Sequence, residues 1–243
     1  MATADLLTPP PTVPQRDPSP RLWTDAEFAL MQQLGIFAGR DVELIGGTVF
    51  EAGRPFVFTR KEYYALGDNQ FFDGLFRNQR VQLIGGVILE ETAVMNPPHA
   101  TAIRKATRAM ERTFGDGYDV RAQLPIDLGP LSEPEPDIAI VTGSFEDYAT
   151  QHPQTALLVI EVSDTTIQAD THEKADLYAA GGIADYWVVD LTTDRVLVFR
   201  TPQPSAKSAS AHTYATVSAY GRDATITPFA APQARVAVND LLP

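Results

Sequence analysis

An almost unbroken apolar run, ALLVIEVS at residues 156–163, constrains this 243-residue chain more than any other feature. A short run that is apolar on both sides of the pleat belongs in the middle of a sheet covered on both faces. The segments around it fit such a sheet. Upstream, YDVRAQLPIDL alternates as a strand and PDIAIVT is a short apolar strand. Downstream, ADTHEKADLYAAGG reads as a helix ended by Gly181 and Gly182, followed by the strands IADYWVVDL and RVLVFR. Ahead of all of these, HATAIRKATRAMERTFG sets Ala102, Ile103, Ala106, Ala109, Met110 and Phe114 at helical spacing, with Gly115 closing the helix. Helix, three strands, helix and two strands describe an α/β fold with a mixed sheet flanked by helices.

The same run poses a chemical problem, because an ionised Glu161 at its centre is costly unless paired or bound to a metal. Asp137 follows Pro136 and opens IAIV, so its carboxylate stands at a strand end. Lys174 lies on the following helix and can point back at both acids. Singly, each has an ordinary explanation: Asp137 as a strand-cap residue after proline, Glu161 in a buried salt bridge with Lys174. Together they place two acids and a lysine at one point of the scaffold.

Composition excludes several chemistries. There are no cysteines, which removes disulfides, thiolate nucleophiles and Cys-ligated zinc. No stretch approaches the ~20 apolar residues of a membrane helix, and the N-terminus lacks the basic start and apolar core of a secretory signal. A cytoplasmic location is expected. No G-x-G-x-x-G, P-loop or G-x-S-x-G motif occurs, so nucleotide-cofactor and serine-hydrolase chemistry have no foothold. The net charge of −12 is a poor footprint for a polyanion ligand, although acids clustered in a metal site contribute to it.

Residues 1–20 carry six prolines and few large apolar side chains, and read as a disordered leader. Residues 201–210, TPQPSAKSAS, read as a long loop. After the leader comes an internal repeat. LWTDAEFALMQQLGIFAGRDVELIGGTVFE, starting at Leu22, matches FVFTRKEYYALGDNQFFDGLFRNQRVQLIGGVILEE, starting at Phe56. Thr24 aligns with Thr59 at an offset of 35, and Gly47 with Gly86 at an offset of 39. Each copy opens with a capping box, Thr24 with Glu27 and Thr59 with Glu62, and ends in a hairpin turned at Gly-Gly. The expected organisation is a leader (1–20), a first helix-hairpin (21–55) and a main domain (56–243) that includes the second copy.

The succession EPEPDIAIV, LLVIEVSDTT and KADLYAAGGIADYWVVDL resembles the PD-(D/E)XK nuclease superfamily, and in particular its Uma-type branch of restriction endonuclease-like proteins. The resemblance covers roughly residues 56–200. It implies a restriction endonuclease-like fold and Mg²⁺- or Mn²⁺-dependent hydrolysis of DNA phosphodiesters. Asp137 and Glu161 would ligate the metal with the backbone carbonyl of Val162, and Lys174 would complete the catalytic set. The usual E-x-K lysine falls at Ser163, and in this branch it comes instead from the next helix, where Lys174 sits. The branch's hairpin motif E-L-I-D-G reads here Gln82-Leu83-Ile84-Gly85-Gly86, so the acid that could join the site is absent from that copy. Glu43, kept in the first copy, and Glu90 or Glu91 are the alternatives.

His99, at the start of the core helix, is a candidate supporting residue or a plain helix-start residue. The other histidines read as surface residues, Glu173 as solvated, and Tyr178 and Trp187 as core. Arg104, Arg108 and Arg112, with Lys105 alongside, form a basic stripe that is a solvated face or a contact for a DNA backbone. Cutting both strands of a duplex commonly takes two active sites, so a homodimer is expected. Two other classes stay open: a catalytically silent nuclease fold that binds nucleic acid or protein, and a self-assembly module whose acids form salt bridges.

Overall fold

The computed structural model describes residues 18–67, 75–76, 79–91, 95–164, 166–208 and 210–243. The expected leader therefore lies, up to residue 17, outside the described residues. Its last two positions are not loose: Ser19–Pro20 form a strand, β1, paired with Glu90 and Leu89.

Next come α1 (Asp25–Gln33), the hairpin β2 (Val42–Ile45) and β3 (Thr48–Glu51), and β4 (Arg54–Pro55). They are followed by α2 (Arg60–Gly67) and the hairpin β5 (Arg80–Ile84) and β6 (Val87–Glu91). Both capping boxes form. Glu27 accepts the Thr24 N–H at 2.8 Å, and Glu62 accepts the Thr59 N–H at 2.7 Å. The lead strands are exchanged: β1, ahead of the first helix, adds to the second hairpin, whereas β4, ahead of the second helix, adds to the first. One apolar core then serves both segments, with Trp23, Met31 and Phe37 from the first packed together with Phe58, Leu66 and Leu83 from the second. The hairpin turns are tight. Gly47 and Gly86 both adopt positive φ, and a Cβ on either would collide with Leu22 or Val57 respectively.

The remainder is α3 (Pro97–Phe114), β7 (Tyr118–Ala122), β8 (Ile138–Thr142), β9 (Leu158–Ser163), α4 (Ile167–Thr171) and α5 (Glu173–Ala180). Then follow β10 (Asp185–Asp190), β11 (Arg195–Pro204), β12 (His212–Gly221), β13 (Thr225–Ile226) and β14 (Val236–Ala237). Six strands form a mixed sheet in the order β12-β11-β10-β9-β8-β7, with β9 and β10 parallel and the other neighbours antiparallel. The parallel pair needs a crossover, and α4 and α5 supply it. Every residue of β9 is buried, as its sequence demands. The apolar face of α3 covers one side of the sheet with the C-terminal residues Leu241 and Leu242, and α5 covers the other with Ala175, Tyr178 and Ala179.

Three expectations are corrected. The strand expected over YDVRAQLPIDL stops at Ala122, because Gln123 enters the left-handed region at φ 53°. The helix expected over ADTHEKADLYAAGG is two helices broken at His172, where the Thr171 hydroxyl bonds back to the Ile167 carbonyl and the His172 ring to the Gln168 carbonyl. The loop expected at 201–210 is strand over its first four residues, since β11 runs on to Pro204 opposite His212. Prolines are tolerated there because β10 pairs with β11 only as far as Arg200, leaving one edge of β11 free of ladder bonds at Pro202 and Pro204.

Candidate active site

The sheet register brings the two strand acids together. Ile138 lies opposite Ile160, so Asp137, one residue before β8, sits beside Glu161 in β9. The Val162 N–H donates to Asp137 Oδ2 at 2.8 Å, and the Asp137 N–H approaches Glu161 Oε2 at 3.4 Å. In an extended strand the N–H and C=O of one residue point to the same side. The Val162 carbonyl therefore opens on the same edge of β9 as its N–H.

Lys174, in the first turn of α5, closes the group, with its Nζ 3.2 Å from Glu161 Oε2 and 3.2 Å from Asp170 Oδ1. Asp170 is buried on α4 and held by the Thr166 hydroxyl at 2.6 Å. Tyr178, one turn beyond Lys174, donates its hydroxyl to Glu161 Oε1 at 2.7 Å. From the opposite side, His99 Nε2 lies 3.6 Å from Asp137 Oδ2. Asn96 fixes His99 in place: it caps α3 by accepting the His99 N–H and donates to Asp164 just past β9.

Asp137, Glu161, Val162, Asp170, Lys174 and His99 line one cleft, together with Glu91, Glu135 and Arg80. Acids outnumber cations there, and the titration behaviour follows. Burial, reinforced by Asp137 and Asp170, pushes Glu161 up to about 8 despite Lys174 and Tyr178. Asp137 goes the other way, because His99, Lys174 and the Val162 N–H more than offset its burial. Burial opposes protonation of His99 and Lys174, but the surrounding carboxylates outweigh it and raise both. The site thus keeps Lys174 an ammonium and Asp137 a carboxylate, and Glu161 is the acid whose ionisation it resists most.

Among the described residues no three or more His, Cys, Asp or Glu side chains are grouped so as to hold a metal ion by themselves. Two carboxylates and a carbonyl on one wall of an open cleft suit a hard cation that retains several waters, as Mg²⁺ does.

A family model described as "Putative restriction endonuclease", Uma2, matches residues 61–231, more than half of the chain. The chain belongs to the Uma2 family. No curated protein matches it. Among solved structures, a "putative nuclease belonging to DUF820" from Anabaena variabilis ATCC 29413 superposes with a TM-score of 0.56 at 15% identity, covering 76% of this chain and 97% of that one. At that identity the likeness carries the fold alone, and it agrees with the restriction endonuclease-like sheet described above.

The other candidate residues separate clearly within this Uma2 chain. Gln82 is buried and donates to Glu91 at 3.0 Å, while its carbonyl oxygen has no partner among the described residues. Glu91, also held by Arg80 at 3.5 Å, reaches the cleft. Glu90 points away from it, pairing with Arg21 at 3.6 Å. Glu43 lies exposed on β2, in a different sheet, and does not join the site. Arg104, Arg108 and Arg112 are exposed on α3, but Lys105 is engaged by the carbonyls of Asn239 and Leu242 at the C-terminus.

Sequence reasoning passed over Asp170, Glu135 and the second role of Tyr178. Asp170 could have been found from its four-residue spacing to Lys174 in the single helix that the sequence suggests there, a spacing whose contact survives the break at His172. Glu135 and Tyr178 carried no comparable signal.

Proposed function

We propose that this chain is a Mg²⁺- or Mn²⁺-dependent DNA endonuclease whose site is built on Asp137, Glu161 and Lys174. The observation that carries the reading is the convergence of two buried acids from adjacent strands with a lysine from the next helix, in a cleft with surplus negative charge. Asp137, Glu161 and the Val162 carbonyl would hold the cation. When bound, such a cation makes a coordinated water more acidic and attracts a phosphate oxygen.

The chain's own residues do the rest. Lys174 remains protonated among its carboxylates, so it orients the attacking water or stabilises charge on the scissile phosphate rather than accepting a proton. His99 and the Val162 N–H hold Asp137 ionised and in place. Tyr178 fixes the rotamer of Glu161. Glu91, steered by Gln82, supplies from the second hairpin the carboxylate that position 82 lacks. The exposed arginines of α3 offer phosphate contacts, and the first helix-hairpin serves as structural support.

The test is cleavage of single-stranded, duplex and supercoiled DNA with Mg²⁺ or Mn²⁺. Asp137→Ala, Glu161→Ala and Lys174→Ala should each lower cleavage by at least about 100-fold while staying folded, on the scale of removing one charge-stabilising group from an active site. A wild-type protein that binds no divalent metal and cuts none of these substrates overturns the reading.

A further inference from the structure

The far edge of the six-stranded sheet carries a second message. Among the described residues β12 has a partner on one side only, β11, and leaves its other row of N–H and C=O groups unpaired. Sheet edges are ordinarily blunted by charges, prolines, bulges or a covering segment. Here residues 213–221, TYATVSAYG, contain no charged side chain and no proline, in a chain of net charge −12. Ala215, Thr216, Val217, Ser218 and Ala219 are all exposed, and Val217 is 55% exposed.

The order of these residues identifies an occupant. Read outward from Val217, the exposed stretch is symmetric: Thr216 mirrors Ser218 and Ala215 mirrors Ala219. An antiparallel pair of identical strands has a twofold axis perpendicular to the sheet, so each residue meets its mirror position on the other copy. With the axis at Val217, valine meets valine, and each threonine meets a serine with which its hydroxyl can bond, a favourable cross-strand pair. Alanines flank them without steric conflict. Shifting the register destroys all of these matches at once. The charge-free edge is also where two acidic copies approach with least repulsion.

We infer that β12 is the self-association edge of this protein, joining two copies antiparallel about Val217 into one continuous sheet. The twofold keeps both α5 layers on the same side, so the two candidate active sites share a face. This inference stands independently of the nuclease reading, because its tests read assembly and not cleavage.

Sedimentation and light scattering on the full chain at micromolar concentrations should give a dimer. Val217→Lys sets two ammonium groups against each other at the axis and should give a monomer that still unfolds cooperatively, with a melting temperature independent of protein concentration. Since the chain has no cysteine, Val217→Cys introduces a single thiol that meets only its own copy. With a short bis-maleimide it should cross-link at least tenfold faster than a control at the exposed Lys61, Lys61→Cys. A monomeric wild type overturns the inference, as does a dimer that survives Val217→Lys or a Val217→Cys protein that cross-links no faster than the control. If Val217→Lys fails to fold, the cross-linking comparison decides.

Discussion

Asp185 and Glu161 are both buried acids on neighbouring strands of one sheet, yet their surroundings are opposite. Asp185 is saturated. It accepts from Trp187 Nε1 and Arg200 Nε, both at 2.8 Å, from a second Arg200 nitrogen at 3.1 Å, and from the Phe229 N–H at 2.9 Å. Arg200 in turn stacks on Phe229 and donates to the Thr227 carbonyl, so the pair pins the C-terminal segment to the sheet. Glu161 shares one ammonium with Asp170 and stands beside a third carboxylate, Asp137. A buried acid with every lone pair answered holds structure together, whereas one in surplus of its cations is poised for a ligand.

Removing each acid should separate the two roles. Asp185→Ala strands a largely buried arginine and should cost about 3–5 kcal/mol. At roughly 2–4 °C per kcal/mol for a chain of this size, the melting temperature falls by about 6–20 °C. Glu161→Gln removes an acid whose ionisation the metal-free fold resists, so its melting temperature should stay level or rise while divalent-metal binding is lost. Calorimetric melts of the two variants with and without Mg²⁺ measure both effects, and equal destabilisation by the two would erase the distinction.

The next effect is on pH dependence. The folded-state value for Glu161 is about 8, against an ordinary value of 4.5, so the folded protein binds more protons than the unfolded chain between those limits. This contribution is fully present below about 4.5 and is lost as pH rises through about 8. Metal-free wild type should therefore lose stability across this window relative to Glu161→Gln. Metal binding must displace the proton, so affinity should climb with pH and titrations in buffers of different ionisation enthalpy should show proton release. A pH-independent affinity between 6 and 8 would contradict the surplus-charge account.

Tyr178→Phe is a smaller perturbation. It removes a hydroxyl that helps Glu161 ionise while keeping the ring packed against Tyr186. Metal affinity near pH 7 should weaken about tenfold, the equivalent of roughly 1.4 kcal/mol, at the lower end of what a hydrogen bond to a charged group contributes. Calorimetric titration of metal into both proteins checks it.

What the sequence made legible was local, or was fixed by strand period. The burial of β9, both capping boxes, the helix face of α3 and the meeting of Asp137, Glu161 and Lys174 follow from spacing and register. What escaped depends on tertiary context. The break at His172 comes from side chains that bond back to carbonyls, and the extension of β11 to Pro204 depends on which edge is left unpaired. Lys105 belongs to a regular basic stripe, and only the fold shows that the C-terminal carbonyls occupy it. Glu91 could not be told from Glu90 until the pairing of β5 with β6 and the bond from Gln82 gave it a direction.

The two hairpins supply the finest test, because they look alike in sequence and differ in where the fold sends them. The first hairpin carries an acid, Glu43, where the second carries Gln82, but presents it to solvent in a separate three-stranded sheet. The second has no acid at that position, yet Gln82 and Arg80 turn Glu91 into the cleft, where its charge is felt by Lys174. Glu91→Gln should thus weaken metal binding about three- to tenfold, a fraction of the loss on removing a direct ligand, in line with the partners that orient metal ligands. Glu43→Gln should leave metal affinity and melting temperature unchanged, with any shift inside the ~0.5 kcal/mol expected of an exposed surface substitution. Loss of metal binding in Glu43→Gln but not in Glu91→Gln would mean that local sequence pattern, rather than tertiary placement, decides which hairpin serves the site.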